Sequence, residues 1–67
     1  MKIILNNTAE EFQQDELTVN ELLKLKKYSF RMLVVKINGS LVKKEEYDTA
    51  TIHAGDDVMI LHLVSGG

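Results

Sequence analysis

Apolar and polar positions along the chain fall into blocks of two different periods. Met1 to Leu5 is rich in branched apolar residues and predicts a strand. Asn6-Asn7 follows, and asparagine tolerates positive φ better than most residues, so the pair suits a tight hairpin turn. Thr8 to Gln13 is the returning strand, weakened by Glu10 and Glu11, and Gln13 to Glu16 reads as polar loop. At Thr18-Val19-Asn20-Glu21 the period becomes helical. The Thr18 hydroxyl is placed to accept from the Glu21 N–H, and the Glu21 carboxylate to accept from the Thr18 N–H, with Leu17 and Leu22 flanking this capping box at the positions that set the entry angle. Val19, Leu22 and Leu23 share one helical face. Lys24, Lys26 and Lys27 crowd the far end, where positive charge suits the helix dipole, and the helix is expected to end near Lys27.

Leu33 to Ile37 is the strongest strand pattern in the chain. Asn38-Gly39 is the best hairpin signal, because both central residues can take positive φ, and Leu41 to Lys43 returns. Lys44 to Ala54 is mixed and polar, with Tyr47 and Ile52 as anchors onto the core. Ala54 to Asp57 is a turn, Val58 to Leu63 the last strand, and Val64-Ser65-Gly66-Gly67 a tail. The order is β-β-α-β-β-β. A helix crossing between two hairpins must bury its apolar stripe on one sheet face. The expected fold class is therefore α+β, a mixed curled sheet packed on one helix, with a domain over 1–63 and a flexible Gly-Gly tail over 64–67.

The last strand is apolar at almost every position. Alternation places Val58, Ile60, His62 and Val64 on one face and Met59, Leu61 and Leu63 on the other. One helix covers one sheet face, so the second face leaves large apolar groups in water, and Val34 belongs with them because it lies opposite to Leu33, Val35 and Ile37. Val58 and Ile60 are assigned to the core; Val34, Met59, Leu61 and Leu63 form a candidate partner-binding patch. Two alternatives stand beside this: a sheet curled enough to bury both faces, or an exchange of the faces, since sequence alone does not set register.

Size and composition narrow the function classes. A chain of 67 residues is one small domain with a thin core, which leaves little interior for a water-excluding catalytic cavity. That favours a binding or carrier role over an independent catalyst. The absence of cysteine removes disulfides and thiolate metal sites and fits a cytoplasmic protein. A net charge of −2 offers no electrostatic footprint for nucleic acid. The apolar run at Met1 to Leu5 is too short for a signal peptide or a membrane span.

The residues with chemistry on offer are few. His53 and His62 have no fixed pairing and make a poor metal site, so surface or edge positions are expected for both. Ser29, Ser40 and Ser65 lack the context of an activated nucleophile, although Ser65 is placed to hydrogen-bond a partner. Asp56 and Asp57 suit a turn better than an oxygen cage for a cation. Lys24, Lys26 and Lys27 read most simply as a solvated helix end.

Gly66-Gly67 offers more. Without Cβ atoms such an end is thin enough to thread a narrow channel and bring a carboxylate into another protein's active site. A carboxylate is a poor acyl donor until it carries a phosphate-type leaving group, most simply an acyl-adenylate made from ATP. The chain has no Gly-rich phosphate loop followed by lysine, so the nucleotide must bind elsewhere. The plainer reading is an ordinary loose terminus. It loses ground because an apolar strand feeds directly into the glycines.

At this point the chain resembles the ThiS family of thiamine-biosynthesis sulfur carriers, relatives of ubiquitin. The resemblance runs through Lys2-Ile3-Ile4-Leu5-Asn6, Thr18-Val19-Asn20-Glu21-Leu22-Leu23, Val35-Lys36-Ile37-Asn38-Gly39, Ala54-Gly55-Asp56-Asp57-Val58 and Val64-Ser65-Gly66-Gly67. It implies a β-grasp (ubiquitin-like) fold and a carrier with no catalysis of its own. An adenylating enzyme similar to ubiquitin-activating enzymes would adenylate Gly67 with ATP, sulfur from a donor protein would give a C-terminal thiocarboxylate, and a thiazole synthase would receive that sulfur. The chain itself would bind no cofactor, metal, nucleic acid or membrane and would be monomeric when free. Departures from the family pattern are Val42-Lys43-Lys44 in place of a common Val-Pro-Arg, Tyr47 where tryptophan is common, and Ser65 where alanine or glycine often precedes Gly-Gly. The small subunit of molybdopterin synthase shares the ending but is typically longer and often has prolines before its glycines; this chain has no proline, which favours the thiamine branch. A ubiquitin-like modifier joined through Gly67 to lysines of other proteins uses the same activation chemistry and differs only in the acceptor.

Overall fold

The structure, a computed structural model, describes residues 1–29 and 32–63. The strands are β1 (Lys2–Leu5), β2 (Thr8–Glu11), β3 (Glu16–Thr18), β4 (Leu33–Ile37), β5 (Ser40–Val42), β6 (Thr51–His53) and β7 (Asp57–His62). The helix α1 spans Val19–Leu25, and a 3₁₀ turn covers Lys44–Glu46. Five strands form one sheet in the order β2-β1-β7-β4-β5. β1 and β7 run parallel and the other pairs antiparallel, so the sheet is mixed. This is the β-grasp arrangement, and the five-stranded sheet with α1 has the expected order of two strands, a helix and three strands.

Local chemistry accounts for the turns. Asn6 and Asn7 have φ of 50° and 66°, and Asn38 and Gly39 have 51° and 84°, the doubly positive pattern that matches the twist of a two-residue hairpin. The second turn sets the register Ile37↔Ser40, Lys36↔Leu41 and Val35↔Val42. At the helix start both bonds of the capping box form, Glu21 N–H to Thr18 Oγ1 at 3.1 Å and Thr18 N–H to Glu21 Oε1 at 2.8 Å. The helix stops at Leu25, two residues before the expected end. Lys27 takes φ 58°, and the N–H groups of Lys27 and Tyr28 donate to the carbonyls of Lys24 and Leu23, which closes the helix by a Schellman motif.

Three short elements were not expected. The polar segment before the helix ends in β3, and Lys44 to Ala54 holds the 3₁₀ turn and β6; β3 and β6 pair as a separate two-stranded ribbon with Leu17 opposite Ile52. Each strand has three residues and a single inward apolar side chain, too few to display alternation.

The core lies between the sheet and α1. Val19, Leu22 and Leu23 of the helix meet Ile3 and Leu5 of β1, Val35 of β4, and Val58 and Ile60 of β7, and Leu17, Tyr47 and Ile52 close one end. Burial pushes the Tyr47 phenol above its ordinary range. Glu10 on β2 accepts from Lys26 Nζ at 2.6 Å, tying the sheet edge to the helix end. Among the described residues no helix is long and apolar enough to cross a membrane.

Candidate functional site

The candidate site is the end of β7 and the sheet face beside it. Val58 and Ile60 point into the core at 0% and 6% exposure, so alternation turns Met59, Leu61 and Leu63 outward. Leu61 and Leu63 are exposed and Met59 is half-buried. β4 lies alongside, with Val34 opposite Leu61 and Lys36 opposite Met59. Val34 is half-buried on this outer face. The Leu63 N–H donates to Met32 O at 2.9 Å, so β4 guides the chain up to the last described residue. The structure thus brings Val34, Met59, Leu61 and Leu63 onto one side of the sheet.

Two further apolar residues share that side and were missed in the sequence. Ile4 on β1 and Leu41 on β5 are 38% and 61% exposed. Leu41 is opposite Lys36, which is opposite Met59, so one row runs across three strands. The signals were present: Ile4 sits between the core residues Ile3 and Leu5, and counting outward from the Asn38-Gly39 turn puts Leu41 across from Lys36.

Around the Leu63 end, an open groove of about 570 Å³ runs between the helix end and the β4–β5 hairpin. Leu23, Tyr28, Met32, Val42 and Tyr47 form much of its wall, and Lys43 and Lys44 are the charged groups on it. No carboxylate or imidazole stands among its described lining residues. Most of its wall is apolar.

The other candidate residues take structural positions. Asp56 accepts at Oδ2 from the His53 N–H at 2.8 Å and at Oδ1 from Asn38 Nδ2 at 3.0 Å, and Asn38 Oδ1 accepts from the Asp57 N–H at 2.8 Å. These bonds hold the turn before β7 against the β4–β5 turn. His53 lies on the surface with Nε2 3.2 Å from Glu16 Oε2, across the β3–β6 ribbon, and His62 is exposed at the end of β7. No three His, Asp or Glu side chains converge as a metal site among the described residues. Val64, Ser65, Gly66 and Gly67, the expected tail with its reacting carboxylate, lie outside the described residues.

A family model described as the ThiS family matches residues 3–67. The crystal structure of a thiamine biosynthesis protein (ThiS) from Geobacter metallireducens is similar at 29% identity and a TM-score of 0.89, covering 100% of both chains. An NMR solution structure of a thiamine biosynthesis protein from the same organism is similar at 29% identity and a TM-score of 0.80, covering 100% of this chain and 88% of that one. No curated protein matches the chain.

Proposed function

The chain belongs to the ThiS family, and from that premise we propose that it is a sulfur carrier of thiamine biosynthesis, loaded on Gly67 by partner enzymes. The observation that carries the proposal is the match of the family model over residues 3–67, together with likeness over the full length to a solved thiamine biosynthesis protein. The Gly67 carboxylate attacks ATP held by an adenylating enzyme, forming a glycyl-adenylate and releasing pyrophosphate. A sulfur nucleophile from a donor protein then displaces AMP. If that nucleophile is a persulfide, cleavage of its S–S bond by a thiol leaves the thiocarboxylate on Gly67 and a disulfide on the protein side. A thiazole synthase takes up the sulfur and returns the carboxylate.

The outer face of the sheet serves as the docking surface. Ordering the backbone of four tail residues in a partner's channel costs roughly 4–8 kcal/mol at ~1–2 kcal/mol each. Burying one large apolar side chain fully contributes ~1.5–3 kcal/mol, so two leucines that are each 45% exposed to begin with supply only a part of that. Val34, Met59, Ile4 and Leu41 must therefore share in docking with Leu61 and Leu63. Deleting Gly67, or extending the chain past it, is expected to abolish loading while the circular dichroism spectrum is unchanged. Loading that survives the deletion sinks the proposal, and ladders of conjugates in cells would favour a protein modifier instead.

A further inference from the structure

We infer that Asn6 is a positioning residue: its side chain stands in for a missing strand beside β7 and so holds the course of Ile60–Leu63. Its consequence for sulfur loading rests on the carrier function proposed above.

β1 pairs with β7 only through Ile4↔Asp57 and Leu5↔Val58. The Asn6 N–H still reaches Val58 O at 2.9 Å, and the turn then carries the backbone away to β2. β7 continues to His62 with β4 on its other side. In an antiparallel pair only alternate residues bond to the partner. The bonds joining Asp57 to Asn38 and Leu63 to Met32 fix that alternation, so the N–H and C=O of Ile60 point away from β4, into the space β1 has vacated. The Asn6 carboxamide fills it. Oδ1 accepts from the Ile60 N–H at 2.8 Å and Nδ2 donates to Ile60 O at 3.1 Å, the same donor and acceptor that a neighbouring peptide group presents.

Two demands meet at this position. The turn needs φ of 50°, and the strand needs a side chain that both accepts and donates. Glycine meets the first demand alone. Aspartate tolerates the turn and can accept from Ile60 N–H, but when ionised it cannot donate to Ile60 O. Asparagine satisfies both, so Asn6→Gly removes both bonds of the clamp and Asn6→Asp only the one donated to Ile60 O, each leaving the turn geometry accessible.

The test compares wild-type protein with Asn6→Gly, Asn6→Asp and, as a control in the same turn, Asn7→Gly. Amide exchange by NMR is expected to speed up roughly tenfold or more at Ile60 in Asn6→Gly, beyond any change at Val35 in the core, and to change less in Asn6→Asp, which keeps an acceptor for that amide. Order parameters of Leu61–Leu63 should fall with it. In loading by the adenylating enzyme, the half-saturating carrier concentration should rise about fivefold with the limiting rate held within about twofold, because the lost pre-organisation must be regained on docking. Asn7→Gly should change neither readout. Unchanged exchange and order at Ile60–Leu63 overturn the inference, as does lost order with unaltered half-saturation. A wild-type protein that accepts no sulfur sinks the carrier function instead, and the exchange comparison still decides the place of Asn6.

Discussion

On the inner face of β7, Val58 and Ile60 are 0% and 6% exposed, whereas on its outer face Leu61 and, just past the strand, Leu63 are each 45% exposed. The side chains are of one kind; what differs is the cover. α1 lays Val19, Leu22 and Leu23 over the inner face, and a sheet with one helix has no second layer for the other. The contrast separates two uses of apolar area in one small domain. Inner residues hold the fold together, and outer residues are, in the function proposed above, left for a partner.

The sharpest way to break this comparison is to truncate neighbouring residues of the same strand. Ile60→Ala is expected to destabilise the fold by about 2–5 kcal/mol, read by denaturant unfolding. Leu61→Ala should stay within about 0.5 kcal/mol of wild type. Leu61→Glu, by contrast, should cut loading efficiency by about tenfold or more, near ~1.4 kcal/mol, with little loss of stability. Stability lost at Leu61 and kept at Ile60 would show the two faces to be reversed.

A smaller effect tests the cover itself. Thr18→Ala removes the hydroxyl that accepts from Glu21 N–H and should cost about 1 kcal/mol, loosening the helix over the inner face while sparing the outer face. Loading at a temperature where the variant stays folded should match wild type; a selective loading defect would tie the helix start to docking.

The smallest effect lies at the rim, between Lys26 and Glu10. The hydrogen bond that Lys26 donates to Glu10 chiefly, and then the charges of Glu10 and Tyr28, raise the Lys26 ammonium above the ordinary lysine range, against an opposing push from burial. A raised pKa means that the folded state favours the charged form. The pair's contribution is therefore complete below the ordinary lysine range and is lost as pH rises through the raised value. Glu10→Gln should cost about 1 kcal/mol or less, constant through the neutral range, with the difference from wild type shrinking in strongly alkaline solution. A difference that varies between neutral and mildly alkaline pH would point to another group.

Much of this architecture was legible because local chemistry and long-range packing agree. Asn6-Asn7, Asn38-Gly39 and the Thr18–Glu21 box each name their own geometry, and Val19, Leu22 and Leu23 show their face within one turn and a half of helix. β3 and β6 stayed hidden because Leu17 and Ile52 are single apolar residues within three-residue strands, recognisable only once paired. The outer face was legible on β7 and at Val34 but not at Ile4 and Leu41, which join it through a sheet order that places β1 and β4 on either side of β7. Asn6 announced a turn, while its bonds to Ile60, 54 residues away in the chain, depend on where β1 stops beside β7.

The most direct measurement of the central claim is the mass of the C-terminal peptide after wild-type protein and a variant lacking Gly67 are incubated with adenylating enzyme, ATP and a sulfur donor. The account predicts that one oxygen is exchanged for sulfur on the wild-type peptide, confined to Gly67, with no gain on the shortened chain. Sulfur found on the shortened chain, or an unaltered wild-type peptide despite turnover of ATP to pyrophosphate, would contradict it.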